Sequence, residues 1–131
     1  MTFVAKDQIT EERFDWGLIG WRLTPAQGSS QLVVMDVTLD PGGGHDFHRH
    51  PDQEEMIIVR EGRITQFLGQ ESMELGPGDS VFVPSGTVHA SFNDGEETVR
   101  LTVMLGPAVN QETGYDLEDV ADQEPWVSLR T

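Results

Sequence analysis

Apolar and polar residues alternate along this chain in short runs, and each run ends at a cluster of Gly, Pro, Asn or Asp. "QLVVMDVTL" at 31–39 puts Val33, Met35, Val37 and Leu39 on one face, and "TVRLTVML" at 98–105 does the same for Val99, Leu101, Val103 and Leu105. Further strand-like runs are "WGLIGWRL" at 16–23, Met56–Arg60, "RITQFL" at 63–68, "MEL" at 73–75, "SVFVP" at 80–84 and "TVHASF" at 87–92. "DPGGG" at 40–44, "GPGD" at 76–79 and "NDGEE" at 93–97 punctuate them as turns. The close spacing predicts an all-β domain, an antiparallel sandwich or barrel. One short helix is expected near Asp116–Gln123. Residues 1–131 read as a single domain, with a core barrel over about 15–106 and an irregular acidic tail over 107–131. The tail wraps the outside, and Trp126 anchors it to this chain or to a partner subunit.

Composition narrows the function. A chain of 131 residues that is 37% apolar can bury one core. Its net charge of −15, with eight basic residues and Lys6 as sole lysine, repels phosphate backbones, so neither nucleic acid nor an anionic membrane is an expected partner. Lys6 lies in a polar N-terminal segment, which argues against Schiff-base chemistry. The absence of cysteine excludes thiolate chemistry and Cys-ligated metals. No run reaches the roughly 20 apolar residues of a membrane helix. The first residues do not resemble a secretory signal, so a cytoplasmic location is expected.

Candidate chemistry concentrates at 48–62, "HRHPDQEEMIIVREG". His48 and His50 sit two apart on a strand, so both imidazoles point one way and can share one ion, while Arg49 points away. Pro51 and Asp52 can bend the chain and bring in a carboxylate from Glu54 or Glu55. These two have opposite facings, so one of them is a ligand. A further donor must come from elsewhere, and His89, in "PSGTVH", has a strand context. Three neutral imidazoles and a carboxylate around one divalent ion leave room for water or substrate.

These residues resemble the motifs of the cupins, small jelly-roll metal-binding proteins. The first motif is matched by Gly42, His48, His50, Glu55 and Gly62, with intervals of five, one, four and six residues. The second is matched by Gly78, Pro84, Gly86, His89 and Asn93, with intervals of five, one, two and three. Fifteen residues, Arg63 to Pro77, separate the two. The resemblance implies a double-stranded β-helix (jelly-roll) barrel in which His48, His50, Glu55 and His89 hold one divalent transition metal: Fe, Mn, Ni or Zn. It selects Glu55 over Glu54, which becomes a rim residue. Gly42, Gly62, Gly78 and Gly86 become turn residues, and Asn93 organises the turn after its strand.

Other residues receive structural readings. His45 has the opposite strand parity to His48 and is expected on the surface. Met35, Met56, Met73 and Met104 read as core fillers. Trp16 and Trp21 face opposite ways, so at most one lines the cavity. Ile57, Val59, Phe67 and Val81 suggest an apolar interior. The resemblance further implies a small-molecule ligand or substrate in the barrel. With Fe, Ni or Mn the chemistry is of the dioxygenase type, on an enol, diketone or phenolic substrate. With Zn or Mn it is Lewis-acid isomerisation, epimerisation or lyase chemistry, with Glu55 as a catalytic proton shuttle. A non-catalytic binding module is the third expectation. A homodimer joined by edge strands is also expected, with "WGLIGW" as the contact.

Overall fold

The computed structural model describes residues 2–130. Eleven strands form two antiparallel sheets, and no α-helix occurs among the described residues. The strands are β1 (Thr10–Phe14), β2 (Gly17–Leu23), β3 (Val33–Leu39), β4 (Gly44–Arg49), β5 (Glu54–Glu61) and β6 (Ile64–Leu68). They continue with β7 (Glu71–Leu75), β8 (Ser80–Val83), β9 (His89–Phe92), β10 (Val99–Gly106) and β11 (Glu118–Asp119). The first sheet, sheet A, runs β1-β2-β3-β10-β5-β8, and the second, sheet B, runs β11-β4-β9-β6-β7.

The alternation of β3 and β10 is realised fully: Val33, Met35, Val37 and Leu39 are buried, as are Val99, Leu101, Val103 and Leu105. With Ile19, Ile57, Val59, Ile64, Leu75 and Val83 they form the core between the sheets. Each such side chain contributes about 1.5–3 kcal/mol by leaving water. Gly42, Gly62, Gly78 and Gly86 all take positive φ, from 77° to 91°. At Gly62 a Cβ would also meet Val99 Cγ2 at 2.8 Å, so the turn into β6 admits no side chain. Asn93 is buried, and its Nδ2 donates to the carbonyls of Leu39, Asp40 and Glu97 while its Oδ1 accepts from Gly95 N–H. It therefore organises the turn after β9, as expected.

Several expectations change. The barrel sheet begins at Thr10, because the polar run "TEERF" pairs with β2 as β1. That pairing leaves β2 between β1 and β3, so "WGLIGW" is no edge strand. The stretch expected to be helical instead carries β11, which pairs Glu118 with Arg49 and Asp119 with His48. Phe67 does not face the interior. It packs with Phe47, Ala90, Phe92 and Val120 on the outer side of sheet B, where Trp126 and Leu129 cover them. Trp126 lies 5.7 Å from Phe47, so it anchors the tail to this chain. Met35 is buried as a core filler, but Met73 is 69% exposed, and Met56 and Met104 lie on the outer face of sheet A.

Candidate metal centre

His48, His50, Glu55 and His89 come from β4, the turn after it, β5 and β9. Each offers a ligand atom within 4.8 Å of the others, and all four are buried. The group could hold a metal ion. Its histidines share one feature. His48 Nδ1 lies 2.6 Å from Asp46 O, His50 Nδ1 2.7 Å from Asp116 O, and His89 Nδ1 3.0 Å from Thr87 O. A carbonyl oxygen only accepts, so each Nδ1 carries the hydrogen and each neutral ring keeps its Nε2 lone pair free for a cation. The turn carrying Gly86 is tied to the same place, since its N–H donates to His50 O at 2.9 Å.

The inward atoms need a cation. His50 Nε2, His89 Nε2 and Glu55 Oε1 are buried without a satisfying hydrogen bond. His89 Nε2 lies 2.6 Å from Glu55 Oε1, and His50 Nε2 lies 3.5 Å from it. Two lone pairs cannot rest at 2.6 Å unless a proton or a metal ion sits between them. Burial and the neighbouring imidazoles push His48 well below its ordinary range, and burial also pushes His50 down. For His89 burial lowers the pKa, but the contact with Glu55 outweighs it and raises the net value. For Glu55 burial raises it, and the contact with His89 together with the surrounding histidines brings the net value down. Without metal, the site therefore holds a proton on the His89–Glu55 pair and two neutral imidazoles beside it.

His45 is half-buried and turned toward the site, not out on the surface as expected. In the β4–β9 pairing, His45 opposes Ser91 and His48 opposes His89, so three steps on β4 match two on β9. The extra residue is a bulge, and it returns His45 to the face of His48. Its ring stacks on His48 at 3.7 Å and on Trp16 at 5.2 Å, and Phe14 stacks beyond at 5.2 Å from Trp16. Burial among these rings pushes the His45 imidazole down to about 4. Trp16 lies in the turn before β2, outside the strand, so parity does not relate it to Trp21. Both pack inward, and Trp21 meets Tyr115 edge-on at 5.8 Å.

The tail completes the site, which sequence reasoning did not find. The ring of Tyr115 lies 5.1 Å from that of His50, and burial and the charge of Glu55 hold its phenol in the protonated form. Gln53, only 2% exposed, donates to Pro107 O and Gly114 O and accepts from Asp116 N–H, clamping the segment whose carbonyl orients His50. Nothing in the spacing of residues 107–131 signals this. On the inner face of sheet B, buried Ser91 donates to Gln66 Oε1 at 2.6 Å, so the interior is apolar on one side and polar on the other. A mostly apolar cleft of about 530 Å³ opens between the unpaired edges β7 and β8, over Gln66, Leu68, Met73 and Val81. Leu68 is the register partner of His89, so the cleft ends one strand from the site. Glu54 is exposed on the opposite side of β5 from Glu55, the separation expected of neighbours on a strand.

The cupin domain model matches residues 35–105, more than half of the chain, and the chain belongs to the cupin family. Over 48 residues it is 44% identical to the uncharacterised protein YdbB of Bacillus subtilis, a match covering 36% of this chain and 42% of that one. It is 29% identical to protein SchB of Streptomyces halstedii over 93% of this chain and 91% of SchB. It is also 29% identical to the polyketide synthase CurC of Streptomyces cyaneus, over 76% of this chain and 66% of CurC. Among solved structures, KdgF from Halomonas matches with a TM-score of 0.72 at 20% identity, over 81% of this chain and 94% of KdgF. The polyketide cyclase RemF from Streptomyces resistomycificus matches with a TM-score of 0.71 at 22% identity, over 98% of both chains. The jelly-roll fold is thus that of the cupins. No helix among the described residues is long and apolar enough to cross a membrane.

Proposed function

We propose that this cupin is a metal-dependent enzyme acting on enolisable carbonyl compounds of the polyketide type. The observation that carries the reading is the donor set: three imidazoles turned Nε2-inward by backbone carbonyls, and one buried carboxylate. The names of CurC and RemF, which concern polyketides, support the substrate class. His48, His50, Glu55 and His89 hold the ion. Bound there, a divalent ion supplies Lewis-acid polarisation of a carbonyl oxygen.

The chain's own residues do the rest. Glu55, the one anionic member of the group, accepts the proton from the carbon next to the carbonyl; the C–H electron pair becomes a carbon–carbon π bond and the carbonyl π pair moves onto the oxygen. Tyr115, held protonated, donates a hydrogen bond to a substrate oxygen. Substrate enters through the apolar cleft between β7 and β8. Such proton transfer serves cyclisation, isomerisation and lyase steps alike.

A dioxygenase acting on an enol, diketone or phenol is the second reading, since the same donors suit a redox-active ion. Protein purified without added metal is assayed for its elements, then incubated with a 1,3-diketone in D₂O with dissolved oxygen monitored. Metal-dependent deuterium uptake at the central carbon without oxygen consumption is expected. Stoichiometric oxygen uptake would replace this reading with the dioxygenase, and neither signal with full metal loading would leave a binding module.

A further inference from the structure

The inner face of sheet B carries a polar pair that the metal centre does not use. On β9, His89 and Ser91 are two apart and share the inward face. On β6, Gln66 lies opposite Ser91, and Leu68 lies opposite His89. Gln66 and Ser91 therefore form the inward row next to that of the metal ligand, about 7 Å along the strand. Gln66 and Leu68 both line the cleft of about 530 Å³ between β7 and β8, so both rows border one space.

The hydrogen bonds of the pair fix its polarity. Gln66 Nε2 donates to Phe67 O at 3.0 Å, and a carbonyl oxygen only accepts, so the amide nitrogen must lie on that side. Gln66 Oε1 then faces Ser91, whose hydroxyl donates to it at 2.6 Å. The Ser91 proton is committed there, which leaves Ser91 Oγ as an acceptor. The second hydrogen of Gln66 Nε2 has no acceptor among the described residues. Gln66 is 3% exposed and Ser91 6%, and the inward neighbours of Gln66 on β6, Ile64 and Leu68, are apolar. As structure alone such a pair is costly, because two apolar side chains would fill the row without leaving a buried donor and acceptor unused.

We infer that Gln66 and Ser91 are specificity-determining residues that bind a hydroxyl group of the substrate, one strand repeat from the oxygen held at the metal centre. The inference rests on reading the site as one for enolisable carbonyl compounds. A hydroxyl both donates and accepts at one atom: its O–H donates to Ser91 Oγ, and its oxygen accepts from Gln66 Nε2–H. A ketone or ether oxygen makes only the second contact, and a C–H makes neither. The pair thus selects hydroxylated carbonyl compounds, with the carbonyl end at the ligands and the hydroxyl at Gln66 and Ser91.

Binding to the zinc-loaded full chain, read by calorimetry, tests the assignment with benzoylacetone, its para-hydroxy derivative and its para-methoxy derivative. Wild type is expected to bind the hydroxy probe about tenfold more tightly than the other two. The double variant Gln66→Met/Ser91→Ala replaces both partners by apolar groups of similar shape, a change that is nearly neutral for folding. It is expected to bind all three probes alike, with its affinity for benzoylacetone and its zinc content unchanged. Equal binding of the three probes by wild type overturns the anchor and leaves the carbonyl reading standing. So does a hydroxyl preference that survives in the double variant. Binding of none of the probes by fully zinc-loaded protein overturns both. If the double variant does not fold, Gln66→Met alone decides, and an undiminished hydroxyl preference in it overturns the inference.

Discussion

The space between the two sheets has two unlike walls. Toward β3 and β10 it is lined by aliphatic side chains, with Trp16, Trp21 and Tyr115 packed against its margin. Toward β4 and β9 it is lined by three imidazoles and the Gln66–Ser91 hydrogen bond, with the Glu55 carboxylate reaching in from β5. The first wall stabilises the fold through burial alone. The second puts polar groups into the same dry interior, and their burial cost is offset only when each finds a partner. Stability and function thus draw on different walls of one core, with Glu55 on β5 of sheet A reaching across to the polar wall, and substitutions on the two walls should have different consequences.

The largest effect tests the polar wall. His89→Ala removes an inward nitrogen, and metal retention should fall by more than about 100-fold in affinity, read by competition with a chelator. The metal-free fold should lose about 3–5 kcal/mol, because Glu55 stays buried with only His50, at 3.5 Å, as a partner. His45→Ala should leave metal retention intact, since that ring stacks on a ligand without joining the group. Equal loss in both variants would erase the distinction between ligand and wall.

On the aliphatic side, Leu105→Ala should cost about 2–5 kcal/mol in denaturant unfolding while binding one metal per chain as before. Loss of metal at full occupancy of the native state would show that the walls are coupled. Gln53→Leu should have a smaller effect, about a tenfold drop in metal affinity, because it frees the segment whose carbonyl orients His50. Unchanged affinity would mean that β11 holds the tail unaided.

The smallest effect is the pH dependence of the chelated protein. His45, His48 and His50 have folded pKa values below the ordinary 6.5, so below that pH the unfolded chain binds protons that the native state does not. Their contribution to stability is present above pH 6.5 and is lost as pH falls toward the folded values, about 4 for His45. His89 is raised and works oppositely, its contribution being present below 6.5 and lost as pH rises through its folded value. Three groups against one make the apoprotein less stable at pH 5.5 than at pH 7.5. Equal thermal midpoints would show that the polar wall is hydrated.

Much of this was legible in the chain. Strand periodicity reports which face a residue takes, and the alternation in β3 and β10 placed half of the aliphatic wall. The motif spacings named the four inward groups, because two residues on a strand and a bend of four residues are local geometry. The polar run of β1 has no apolar signal, and it became a strand only because β2 offered an edge. His45 was misplaced because parity was carried through a bulge, and a bulge is defined by the partner strand.

What the sequence by itself determined is the class of fold, the four donor side chains and the turns that aim them, all set by interactions over a few residues. Only the tertiary structure decided that His45 joins the wall, that Asp116 orients His50 from 66 positions away, and that Gln66 and Ser91 meet one inward row from His89. Those facts depend on strand register and chain closure, and register is settled by the energy of the whole packed sheet, which no single segment contains.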